Sequence, residues 1–69
     1  MRLHLQKAIE LNGSAAELAR KCNVTPPQVF KWLHKGVPPK RVLAVEKATD
    51  GKVKRWELRP DIYPPEDYI

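Results

Sequence analysis

The chain has 69 residues, enough for one small domain near the lower size limit at which a hydrophobic core holds without staples. Thirteen Lys and Arg against eight Asp and Glu give a net charge of +5, and a lone cysteine excludes an internal disulfide framework. No apolar run approaches a membrane span, and Arg2, His4 and Lys7 interrupt the opening where a signal peptide would be apolar, so a cytoplasmic location without a membrane partner is expected.

Residues 2–11 read as a first helix with Leu5, Ala8, Ile9 and Leu11 inward, ended by Asn12-Gly13. Ser14 then caps a second helix, and Glu17 three residues later completes a capping box. Leu18, Ala19 and Cys22 share one helical face, which predicts a small buried thiol at Cys22. Asn23 follows, a residue that tolerates the left-handed conformation of a sharp turn, and Val24 is an apolar plug in that turn. Thr25 caps a third helix and Pro26 occupies its first turn, where a missing amide proton costs nothing. Val29, Trp32 and Leu33 form its inward stripe, so Trp32 belongs to the core. Ala19 is small where the two helices must cross closely. Two short helices meeting over so tight a turn make a helix-turn-helix.

With Val29 inward and about 100° per residue, Pro27, Gln28, Lys31, His34 and Lys35 point outward, with Phe30 on the boundary. That face has two lysines and no carboxylate. A merely solvated helix face usually mixes charge signs, whereas a face offered to phosphates and base edges avoids acids.

Lys35-Gly36 closes this helix, Val37 crosses to Pro38-Pro39, and Pro39 opens a further helix over 39–49. Asp50-Gly51 admits two readings. It ends that helix, or it turns a β-hairpin spanning residues 40–58. Strict alternation fails on both sides of it, while Val42, Val45 and Thr49 align at helical spacing, which favours the helix and a short successor near 53–58. The expected fold is an all-α bundle of about five short helices, the alternative being α+β with the C-terminal hairpin. Residues 1–60 form the domain. Residues 61–69 read as an extended, proline-rich acidic tail, because all thirteen basic residues lie before it while it holds Asp61, Glu66 and Asp67.

An enzyme is not expected. His4 and His34 lie on separate elements, and the chain has no glycine-rich phosphate loop and no convergent carboxylates. No cofactor, metal or small-molecule substrate is implied.

The arrangement GSAAELARKCNVTPPQVFKWLHKG, followed by VPPKRVLAVEKATDGKV and WELRPDIY, resembles the Cro and YdaS-like repressors of phages and prophages, over about residues 5–63. The first block is common to many helix-turn-helix proteins; the proline-led helix ending in a T-x-G turn, with ELRPDI after it, is much more specific. The resemblance implies an operator-binding transcriptional repressor in a bacterial host cell, with double-stranded DNA as its partner. Two departures stand out. Asn23 replaces the usual turn glycine, and Pro26-Pro27 replaces the small polar residues usual at the start of the recognition helix, removing hydrogen-bond donors there.

On that reading Lys31, central on the outward face, meets a guanine edge or a nearby phosphate, and Gln28 pairs with adenine or holds a phosphate. Thr25 caps its helix and offers its hydroxyl to a phosphate. Pro27 and Phe30 give apolar contact to a thymine methyl group, with packing at the core edge the other reading for Phe30. Lys35, Lys40 and Arg41 flank the helix as backbone clamps. Arg20 and Lys21 serve either as further clamps or as ordinary solvated charges. His34 is a polar surface residue.

So small a module contacts few base edges, and useful specificity generally requires two copies on neighbouring half-sites. A weak homodimer formed on DNA is therefore expected, with Val53, Trp56, Leu58, Ile62 and Tyr63 at the contact. The class-level alternative is an antitoxin-like or anti-repressor interaction module whose partner docks on the C-terminal segment, where Ile62, Tyr63, Tyr68 and Ile69 lie.

Overall fold

A computed structural model describes residues 2–64. Within them lie five helices, α1 (Arg2–Asn12), α2 (Ala15–Cys22), α3 (Pro26–Lys35), α4 (Pro39–Ala48) and α5 (Arg55–Leu58). The all-α bundle is the observed fold, and no strand occurs among the described residues.

Residues with left-handed backbone end two of the helices. Asn23 has φ 60°, and the amides of Asn23 and Val24 turn back to the Arg20 and Ala19 carbonyls at 3.2 and 2.9 Å. Asp50 repeats the device at φ 54°, with the amides of Asp50 and Gly51 bonded to the Lys47 and Glu46 carbonyls at 3.0 and 2.9 Å. Both are the paired bonds of a Schellman end, built on Asn and Asp instead of glycine. This resolves the hairpin alternative over 40–58. A two-residue hairpin turn also needs positive φ at two successive positions, which Asp50 and Gly51 (φ 78°) supply, but here that freedom terminates α4.

The buried Thr49 closes the same corner. Its hydroxyl donates to the Glu46 carbonyl at 2.9 Å and accepts the Val53 amide at 3.0 Å. Val53 thus sits in the turn, and the last helix begins two residues later than the expected 53–58. The Glu46 carboxylate then takes the amide of Arg55 at 3.1 Å and its guanidinium Nη2 at 2.8 Å, binding α4 to α5.

The core draws on every element. Leu5 and Ala8 come from α1, Leu18, Ala19 and Cys22 from α2, Val29 and Trp32 from α3, Val42 and Val45 from α4, and Leu58 from α5, with Val37 and Val53 from the connections. α1 touches all four other helices, and the fully buried Ala8 and Ala19 keep the packed backbones close. Leu11, expected inward, lies outside this core and is exposed, as is Leu43 on α4. Leu33 packs at the core edge.

After Leu58 the chain turns back. The amides of Ile62 and Tyr63 bond the Arg59 carbonyl at 3.1 and 2.9 Å, and Tyr63 packs against the core beneath the Arg55 guanidinium, 5.7 Å from its ring centroid. Of the tail expected over 61–69, residues 65–69, with Tyr68 and Ile69, lie outside the described residues.

Candidate nucleic-acid interface

The exposed surface of α3 is built from its own ends. At its start the Gln28 side-chain Oε1 accepts the Thr25 backbone amide at 3.0 Å, while the Gln28 amide bonds the Thr25 carbonyl at 3.0 Å. Pro26 and Pro27 have no N–H to offer. The first turn of α3 is thereby closed on itself and presents no free amide to an anion, so Thr25 is engaged in capping. At the α2 end, Ser14 accepts the Glu17 amide at 3.2 Å, but the Glu17 carboxylate does not complete the expected box. It takes Arg20 instead, at 2.6 Å. That bond holds the Glu17 carboxyl below the usual carboxylate range.

Pro27, Gln28, Phe30, Lys31, His34 and Lys35 are all exposed on α3, while Val29 and Trp32 are buried. Phe30, read as a boundary residue, is 53% exposed, an apolar ring in water amid cations. Lys31 and Lys35 meet no carboxylate among the described residues.

α4 also opens on cations, its first turn holding Lys40 and Arg41 and no acid. Cations at a helix N-terminus oppose the helix dipole, a placement unfavourable by about 0.3–1 kcal/mol each. The fold gains nothing from them there, whereas a polyanion laid across the start of α4 would. Lys40 is exposed and Arg41 half-buried, near enough to Cys22 to counter in part the burial that pushes that thiol up.

Arg20 is held by Glu17, and Lys21 shares a groove with Ala44, Lys47 and Ala48 of α4. Among the five C-terminal residues expected at a subunit contact, Val53 (0% exposed) and Leu58 (1%) are withdrawn, because both lie in the chain's own core. Tyr63 is partly covered by that core, and Ile62 remains exposed.

Arg59 is the residue that the sequence reading missed. Its Nε and Nη2 grip both oxygens of Asp61, at 3.0 and 2.8 Å, while Nη1 donates to the Val37 carbonyl at 2.8 Å. It thus ties the segment after α5 to the connection leaving α3, and it lines a groove beside Lys31 and Lys35. Nothing local to Arg59 signals a contact 22 positions away. The Arg-Pro-Asp spacing, which brings the two charges together across a turn, is the signal that existed.

Among the described residues no group of His, Cys, Asp or Glu could hold a metal ion, and no helix is long and apolar enough to cross a membrane.

A family model described as "Bacterial toxin YdaS" matches residues 5–67. A protein of Escherichia coli (strain K12) named "Putative transcriptional regulator YdaS" is 43% identical over 60 residues, covering 83% of this chain. The chain spans 60% of that relative's length. No solved structure matches.

Proposed function

The chain belongs to the YdaS family, and from that premise we propose that it is a sequence-specific DNA-binding regulator that represses transcription from the operator it occupies. α3 is the recognition helix. Lys31 reads a base edge or holds a phosphate beside it, Phe30 and Pro27 meet thymine methyl groups, and Lys35, Lys40 and Arg41 clamp the backbone. Gln28 and Thr25 contribute chiefly by holding the first turn of α3 in shape. The name of the Escherichia coli relative supports a regulator. The observations that carry the reading are the exposed face of α3, with Lys31 and Lys35 and no carboxylate, and the acid-free first turn of α4, with two cations placed against the helix dipole.

In this reading the protein acts by occupancy, as two copies on neighbouring half-sites, and Ile62 with Trp56 and Tyr63 is the apolar area available for the contact. Selecting bound duplexes from a random pool tests it. Enrichment of one half-site repeated as an inverted pair is expected, because a two-fold dimer reads a two-fold site. A pool that remains unenriched while the protein binds all duplexes equally would contradict specificity.

The family's description as a bacterial toxin favours a second reading, in which the chain impairs the host through a protein partner docked on the C-terminal segment. Growth arrest on expression that survives Lys31→Ala would favour this reading, and arrest lost with DNA binding the first.

A further inference from the structure

Between α3 and the turn after α5 lies a groove of about 400 Å³. Its lining includes Lys31, Lys35, Gly36, Pro38 and Arg59. Two cations of α3 and one from beyond α5 thus meet in one concavity, and no carboxylate is among its lining residues. Resting on the DNA-binding reading above, we infer that this groove seats one phosphate of the DNA backbone, with Arg59 as its fixed anchor.

Three features fit a phosphate in particular. The Arg59 guanidinium is held from two sides, by Asp61 through Nε and Nη2 and by the Val37 carbonyl through Nη1, so little rotamer freedom remains to be lost on binding. It carries more N–H groups than those bonds use, and its side chain remains 22% exposed, so it has donors left for a further oxygen. Gly36 in the lining has no side chain to obstruct a sugar–phosphate strand. Lys35 supplies mobile charge in the same groove. Asp61 holds the guanidinium in place, and its own carboxyl stays below the usual range because Arg59 is bonded to it. The segment after α5, remote in sequence from the helix-turn-helix, would then complete the DNA surface.

The test measures binding of the selected duplex against salt for the wild type, Lys35→Gln, Arg59→Gln and Arg59→Lys. Lys35→Gln and Arg59→Gln should each flatten the slope of log affinity on log salt by about 1, with equal weakening on every duplex sequence. Arg59→Lys should restore the slope. A single uncharged methylphosphonate linkage, moved along the site, should find one position at which the wild type is weakened and both glutamine variants are indifferent. Unchanged slopes in folded Lys35→Gln and Arg59→Gln would overturn the phosphate seat, as would variants indifferent at two different positions. If Arg59→Gln fails to fold, an unchanged slope in Lys35→Gln is sufficient to overturn it. Failure of the wild type to bind any duplex is a separate result, which would remove the DNA-binding reading itself.

Discussion

The side-chain oxygen of Gln28 accepts the backbone amide of Thr25 at 3.0 Å, so the most polar residue near the start of α3 is engaged in closing that helix. With Pro26 and Pro27 lacking N–H groups, the hydrogen-bonding end of α3 is turned inward on itself. The α3 surface left for a partner is Pro27, Phe30, Lys31, His34 and Lys35.

Gln28→Ala should therefore act mainly on stability. Loss of the reciprocal cap is worth about 1 kcal/mol, seen as a lower melting temperature with base preference unchanged. An unchanged melting temperature with relaxed preference at one base pair would instead make Gln28 a base reader.

Trp32→Ala should destabilise the domain by about 3–5 kcal/mol, most of what so small a core supplies. Trp32 is 6% exposed beside Val29 and against α1, and circular dichroism should show an unfolded chain. A folded Trp32→Ala protein that has lost DNA would place the indole on the ligand side.

Thr49→Val keeps the shape of the side chain but removes the hydroxyl that joins the Glu46 carbonyl to the Val53 amide. A buried amide left without a partner costs about 1–3 kcal/mol, measurable by urea unfolding. Thr49→Ser should recover most of it, and wild-type stability in Thr49→Val with the loss appearing in Thr49→Ser would show that the methyl group matters instead.

The Asp61 carboxyl is held below its usual range by Arg59, so its contribution is present above the unfolded value and is lost as pH falls through the folded one. The pair is exposed on its Asp61 side, and the effect is small. The melting temperatures of wild type and Asp61→Asn should differ at pH 7 and converge below about pH 4. A difference that persists unchanged at pH 3 would mean that charge is not what Asp61 contributes.

Local chemistry made most of this fold legible. Ser14, Asn23 and Pro26 each do at a helix end what their side chains dictate, and the spacing of Leu18, Cys22, Val29 and Trp32 located the core. The hairpin ambiguity at Asp50-Gly51 had a physical origin, since the same positive-φ pair ends a helix or turns a ribbon, and tertiary packing decides. Burial at the C-terminus was less legible. Val53 and Leu58 looked like surplus apolar area because nothing local shows that α1 and α4 are there to cover them. Arg59 was hidden for the same reason, its carbonyl partner lying on a distant connection. Charge patterning drew the outline of the candidate surface, but hydrogen bonding within α3 set which of its residues are free.

The central claim is that α3 reads DNA through Lys31. Affinities of wild type and Lys31→Ala for the selected duplex and for every single-base variant of it test this most directly. The account predicts a loss of roughly 1–3 kcal/mol on the selected duplex and a relaxed preference at one base pair, with the fold intact by circular dichroism. Equal affinities for wild type and Lys31→Ala across the whole set would contradict the assignment of α3 as the recognition helix.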